Sequence, residues 1–231
     1  MKIKNVYKIF LIKIMKVVIS LGGSLITPKD DFLEKVADFI KKTSKKIDLY
    51  VVVGGGKIAK NYIKVARKFC NDERFLDKIG IAATRLNAFL LASFFKKTIP
   101  YTVKKASTMQ PPVIMGGTTP GHSTDAVAAM LAKKVKADLL VIATDVDGIY
   151  DKDPKKYRNA KKFDKIKIDD LIKIVGNKWK KAGEKIVVDA IACKIIKKEK
   201  IRAVVLNGKD LKQLENAIYG KKFNGTIIEI S

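Results

Sequence analysis

Residues 49–57 read LYVVVGGGK. The run from Leu49 to Val53 is continuously apolar, the pattern of a strand buried on both faces. Three glycines follow at once, and then KIAKNYIKVARKF, Lys57 to Phe69, which has helical character. The same order occurs earlier as VVISLGGSL, Val17 to Leu25, and later as VIMGGTTPGHSTDA, Val113 to Ala126. Each is a strand that ends in a glycine turn and feeds a helix. Such a turn exposes bare backbone N–H groups beside a helix N-terminus, where a phosphate is held. Several of them in one chain suggest two phosphorylated ligands facing each other, and so phosphoryl transfer.

Working outward, strands are expected at 17–21, 49–53, 113–115, 138–143, 203–206 and 225–230. Helices are expected at 31–42, 57–69, 77–95, 125–135, 169–175, 187–199 and 211–218. Phe32, Leu33, Val36, Phe39 and Ile40 give the first helix one apolar face. Asp169 is expected to cap a short helix that Gly176 stops. This alternation predicts a three-layer αβα sandwich with a mostly parallel central sheet and ligands at the C-terminal ends of the strands. Residues 15–231 then form one domain. Any division into lobes is expected near residue 126, inside one continuous sheet.

The chain has 231 residues, 47% of them hydrophobic and 31% charged. That is enough for one sizeable core or two tightly joined lobes. No apolar run approaches the ~20 residues that span a bilayer, so no membrane partner is expected. Cys70 and Cys193 lack metal-like spacing and fit a reduced, cytoplasmic compartment. A single histidine, His122, argues against a histidine-based metal site. The net charge of +25 fits either a nucleic-acid face or a lysine-rich, heat-adapted proteome. Its lysines are spread along the chain with no aromatic-interleaved basic motif, which favours the second reading and no nucleic-acid partner. In residues 1–14, lysines interrupt the apolar run and no signal cleavage site follows. A mis-assigned start before Met15 is expected, with an added strand or arm as the alternative.

Gly54-Gly55-Gly56 lets a phosphoryl group approach the backbone, with the helix dipole behind it. The structural alternative is a tight turn without a ligand. GGGKIAK lacks the Lys-Ser/Thr ending of a Walker A loop, and Gly22-Gly23 lacks the later glycines of a dinucleotide fingerprint.

VVISLGGSL, VVVGGGKIAK, DKIGIAATRLNAFLL, MGGTTPGHSTDAVAAMLA, LLVIATDVDGIYDKDP and VVDAIACKII, in this order, resemble the amino acid kinase superfamily. Within it they resemble the archaeal type of UMP kinase, over roughly residues 15–231. GGTTPGHSTDA and TDVDGIYDKDP are the most specific stretches.

The resemblance implies an ATP- and Mg²⁺-dependent kinase that converts UMP to UDP in pyrimidine nucleotide synthesis. It also implies a homo-hexamer built from dimers and feedback inhibition by UTP. Gly22, Gly23 and Ser24 would line the ATP phosphates. Gly55 would meet the UMP phosphate and Gly56 the phosphoryl group in transit. Asp77 would accept hydrogen bonds from the acceptor ribose. The loop Thr118, Thr119, Pro120, Gly121, His122, Ser123 and Thr124 would wrap the acceptor, with Thr124 near its phosphate. Thr144, Tyr150 and Asp153 would hold ATP, and Asp189 would organise basic groups around the reacting phosphates. The metal would be held by ATP phosphates and water, with no protein ligand.

Superfamily members often carry lysine two residues before the first glycine of the first turn; here that position is Ser20. Lys57 and Lys60 are the candidate replacements, and Lys60 stands where close relatives place arginine. Their structural alternative is two solvated lysines on a helix face. His122 is read as a packing or hydrogen-bonding residue rather than a proton carrier. Asp125 either caps the following helix or meets a ligand, with the cap favoured. Asp145 and Asp147 either form the donor turn or approach Mg²⁺. Lys178 and Trp179 fall in a loop near the donor site without an assigned role.

The rivals are a related kinase with another acceptor, such as isopentenyl phosphate, and a non-catalytic nucleotide-binding protein. An isopentenyl phosphate kinase is expected to place a histidine soon after the GGG turn, and none stands there. An aspartokinase would need regulatory domains beyond this length. Ser20 keeps the non-catalytic reading open.

Overall fold

The computed structural model describes residues 14–26, 31–176 and 188–230. Val17, Val18, Ile19, Leu49, Val51, Val52 and Val53 are all at most 2% exposed, as a strand covered on both faces requires. Strands β1 (Lys16–Leu21), β2 (Asp48–Val53), β3 (Val113–Met115), β4 (Leu139–Thr144), β8 (Ala203–Asn207), β9 (Gly225–Glu229) and β7 (Lys165–Lys167) form one sheet. Their spatial order is β3-β2-β1-β4-β8-β9-β7. Pairing is parallel throughout except between β8 and β9. A separate hairpin joins β5 (Ile149–Tyr150) to β6 (Lys162–Phe163).

Side chains alternate across each strand. Val17, Ile19 and Leu21 therefore face one core, under α1 (Asp31–Thr43), α3 (Glu73–Ser93) and α8 (Leu211–Ile218). Val18 faces the other, under α4 (Val103–Ala106), α5 (Thr124–Val135), α6 (Ile168–Val175) and α7 (Ala190–Glu199). The result is the expected three-layer sandwich. The remaining helix, α2 (Gly56–Ala66), packs along α3 and the short 3₁₀ turn Gly23–Leu25. From β1 the sheet runs toward β2 and β3 on one side and toward β4 and β8 on the other. The β1–β4 junction is thus the point where strand order reverses, the place for ligands in open α/β sheets.

Local differences from the sequence expectations have physical causes. Helix α3 begins at Glu73 because Asp72 accepts the Arg74 N–H at 2.9 Å and caps it. Asp77 therefore sits inside the helix rather than at its start. Asp169 is not a cap: α6 begins at Ile168 after Lys167, and the Asp169 carboxylate pairs with Lys197 instead. Gly176 does end α6, at φ 78. Asp125 is not a cap either; Ser123 holds that position and accepts the Ala126 N–H at 3.1 Å. Helix α7 starts at Ala190, with Asp189 as its cap. Lys178 and Trp179 lie outside the described residues.

Candidate active site

The glycine turns gather at the C-terminal edge of the sheet, and backbone hydrogen bonds tie them to one another. Gly22 N–H donates to Ala143 O at 2.8 Å, Gly54 N–H to Leu21 O at 2.9 Å, and Gly208 N–H to Thr144 O at 2.8 Å. The first two turns interlock. A Cβ built on Gly23 would lie 2.2 Å from Gly56 N, and one on Gly56, where φ is +58, would lie 2.1 Å from Gly23 O. Only bare backbone fits there. Glycine is thus required by turn-on-turn packing, whatever ligand the turns hold.

Helix α2 leaves this junction with Gly55 as its cap, so among the described residues no side chain caps its first N–H groups. They form a donor seat for an anion, reinforced by the helix dipole. Lys57 and Lys60 stand exposed on the same first turns. Ser24 is also exposed, in the 3₁₀ turn beside α2.

Helix α3 holds the backbone of the 117–121 loop and of the Gly54 turn. Asp77 Oδ2 accepts the Gly121 N–H at 2.7 Å. Thr84 Oγ1 donates to Ile81 O at 2.6 Å and accepts the Gly117 N–H at 2.7 Å. Asn87 Nδ2 donates to Gly54 O at 2.8 Å. Arg85 Nε and Nη2 each donate at 3.1 Å, to Gly117 O and Thr118 O. Farther along the loop, the Thr119 hydroxyl and His122 Nδ1 are 2.9 Å apart, the hydrogen-bonding role expected of this histidine. Thr124 opens α5 directly after the Ser123 cap.

Beneath that helix start lies a buried polar pair. Strand alternation places Ser20 on the face that α5 covers, where it is 2% exposed. Its Oγ donates to Asp125 Oδ1 at 2.6 Å. Desolvation pushes the Asp125 carboxyl up to about 6; the Ser20 hydrogen bond opposes this and the charge of Asp189 reinforces it. Asp189 Oδ1 accepts the N–H groups of Ile191 at 2.7 Å and Ala192 at 3.0 Å. Burial, with Asp189 and Asp125 nearby, pushes the Cys193 thiol up to about 12. It is a packed, unreactive group at neutral pH.

Across the β1–β4 junction stands the second loop. Thr144 ends β4, and its hydroxyl reaches Asp145 Oδ1 at 3.4 Å. Asp145 also pairs with Lys155 at 2.5 Å, and Asp147 Oδ1 accepts from Asn207 Nδ2 at 2.9 Å. Both carboxylates are engaged by side chains elsewhere in the chain. Tyr150 sits in the hairpin, its phenol pKa raised by burial and then by Asp147. Asp153 lies on an exposed turn and accepts the Lys155 N–H at 2.9 Å.

Residues 15–207 match the model of the amino acid kinase family. The chain belongs to that family. It is 45% identical over 225 residues to a protein of Thermococcus kodakarensis named uridylate kinase, covering 93% of this chain and 100% of that one. The crystal structure of uridylate kinase from Archaeoglobus fulgidus superposes with a TM-score of 0.83 at 42% identity, over 93% of this chain and 100% of that one. The structure of UMP kinase from Ureaplasma parvum, at 23% identity and a TM-score of 0.74, covers 94% of this chain and 99% of its own and shows the same fold.

The amino acid kinase fold thus brings the 22–24, 54–57, 116–124 and 144–150 segments to one edge. It leaves Asp153 exposed, with its carboxylate on the Lys155 N–H, and it commits the Asp189 carboxylate to a helix cap. Thr84 and Arg85 were missed as supports of the Gly117–Thr118 backbone, and Asn87 as the support of the Gly54 turn. A signal existed for two of them. Thr84 and Asn87 interrupt an apolar helical stripe with Leu76, Ala83, Ala88 and Leu91, and a buried polar side chain needs a partner.

Proposed function

We propose that this chain is an ATP-dependent UMP kinase that transfers the γ-phosphoryl group of ATP to UMP, giving UDP and ADP. The observation that carries this reading is the end-to-end likeness to uridylate kinases. The α3-anchored loop at the same edge as the Thr144 loop supports it. Gly22, Gly23 and Ser24 line the ATP phosphates, with Thr144, Tyr150 and Asp153 holding the rest of the donor. Gly55 and Thr124 meet the UMP phosphate, and Gly56 meets the phosphoryl group in transit. Asp77 uses Oδ2 on Gly121 and offers Oδ1 to the ribose hydroxyls. Residues 118–123 wrap the base and sugar.

The protein's work is alignment and charge neutralisation, since a phosphate acceptor is already anionic near neutral pH. The uncapped start of α2 with Lys57 and Lys60 supplies positive charge that Ser20 cannot. Lys60 brings charge without the bidentate geometry of arginine. Asp189 fixes the start of α7 behind the reacting phosphates. Mg²⁺ is carried on the ATP phosphates and neutralises their charge. The engagement of Asp145 by Lys155 and of Asp147 by Asn207 fits a metal held through phosphate oxygens and water.

Residues 15–231 act as one kinase domain, with the acceptor bound by the part before about residue 126 and ATP by the part after it. The family model begins at residue 15, which supports a start near Met15. Helices α2 and α3 expose Tyr62, Val65, Phe75, Leu86 and Phe89, with Phe69 just beyond α2. A face of this kind supports a homo-oligomer, read here as a hexamer built from dimers. Inhibition by UTP and a cytoplasmic location complete the reading. No helix among the described residues is long and apolar enough to cross a membrane.

A coupled assay of ADP formation, with UMP, CMP, dUMP and isopentenyl phosphate offered in parallel, tests the acceptor. Turnover is expected with UMP. Turnover with isopentenyl phosphate alone would move the chain to another acceptor class. Nucleotide binding without turnover would point to a non-catalytic role.

A further inference from the structure

We propose that Arg85 is a positioning residue: it turns the Gly117–Thr118 backbone so that the acceptor loop presents its N–H donors away from α3. The inference rests on the acceptor reading above. Among the described residues, its polar partners are two successive backbone carbonyls, Gly117 O and Thr118 O, both at 3.1 Å. Its guanidinium carbon lies 4.6 Å from the centre of the Tyr101 ring, whose face holds the fork in place. Phe89 packs edge-on against that ring, with centroids 6.5 Å apart.

The geometry has a consequence for the loop. In a trans peptide, the C=O of one residue and the N–H of the next point in opposite directions. Drawing the Gly117 and Thr118 carbonyls toward Arg85 turns the Thr118 and Thr119 N–H groups away from α3. Among the described residues neither N–H has a hydrogen-bond partner. They remain available as donors to an anionic or carbonyl oxygen of the acceptor. Thr84 and Asp77 pin the N–H groups of Gly117 and Gly121 on either side. Arg85 orients the stretch between these pins. An isolated lysine ammonium cannot reproduce a planar fork that serves two carbonyls at once.

The test combines amide hydrogen exchange of the nucleotide-free protein with steady-state kinetics, for Arg85→Ala, Arg85→Lys and Tyr101→Ala. In Arg85→Ala, exchange should rise in the segment 116–122 and stay unchanged in strand β1. KM for UMP should rise roughly tenfold or more, while KM for ATP changes by less than about twofold. Arg85→Lys should fall between wild type and alanine. Tyr101→Ala should shift both readouts the same way, by less. If Arg85→Ala does not fold, the lysine and Tyr101 variants decide by the same readouts. Unchanged exchange in 116–122, or an equal rise in both KM values, would overturn the proposal. A wild-type protein that ignores UMP would defeat the acceptor reading, while loop exchange in the variants would still decide the role of Arg85.

Discussion

Ser20 Oγ and Asp125 Oδ1 are joined by a 2.6 Å hydrogen bond at the point where sheet order reverses. The position that carries a superfamily lysine here holds a neutral hydroxyl. The carboxylate beneath the start of α5 is therefore held by a hydrogen bond rather than by an ion pair. Its charge is incompletely compensated, and its carboxyl is raised to about 6.

That rise has a stability consequence with a definite sign. The folded-state value lies above the ordinary 3.8, so folding favours the protonated acid. The stabilising contribution is full below about pH 4 and is lost as pH rises through about 6. Asp125→Asn should therefore stabilise the protein relative to wild type by about 3 kcal/mol at pH 8 and show much less advantage at pH 4. Denaturant midpoints at the two pH values measure the difference. A larger gain at pH 4 than at pH 8 would refute the assignment.

Lys60→Ala should lower kcat by about tenfold to a hundredfold if this lysine replaces the missing charge at the phosphates. Lys60→Arg should keep or raise activity, because arginine adds bidentate phosphate contacts. Steady-state rates at saturating ATP and UMP make the comparison. A fully active alanine variant would return Lys60 to the status of a solvated surface lysine.

The interlocked glycines predict a structural failure. At Gly23, a methyl group would meet Gly56 N at 2.2 Å and the Gly54 carbonyl at 2.4 Å. Gly23→Ala should cost about 3 kcal/mol or more, because backbone on both sides has to move. Gly121→Ala should cost only about 1 kcal/mol: it has a positive φ, but among the described residues nothing lies within 4 Å of its added Cβ. Thermal unfolding of the pair distinguishes a packing requirement from a purely conformational one.

The architecture was legible in the sequence because both of its signals are local. Continuous apolar runs such as 49–53 mark doubly covered strands, and glycine turns mark their C-terminal ends. The parallel sheet and its ligand edge follow from those two facts. Helix starts were less legible. Asp125, Asp169 and Asp77 all look like helix beginnings, and in each case a neighbour one to five residues earlier provides the cap or start. Which of several adjacent polar residues caps depends on tertiary partners, such as Ser20 for Asp125 and Lys197 for Asp169. Arg85 was illegible for the same reason. Its partners, Gly117 and Thr118, are more than thirty residues away, and they are backbone atoms without a sequence signature.

The exposed apolar face on α2 and α3 gives a prediction about assembly. Leu86 and Phe89 are 58% and 47% exposed on one helix. If this face joins subunits in the proposed homo-oligomer, a Leu86→Asp, Phe89→Asp double variant should lower the mass of the assembly, because buried unpaired charge is strongly disfavoured. Light scattering after size exclusion reads the mass directly. An unchanged mass would place the subunit contact elsewhere.

The most direct measurement is the quantification of both nucleotide products after incubation of the protein with ATP, Mg²⁺ and UMP. Phosphoryl transfer to UMP predicts UDP and ADP accumulating in equal amounts from the first minutes, with none when UMP is omitted. ADP rising without UDP, or UMP left intact while isopentenyl phosphate is consumed, would contradict it.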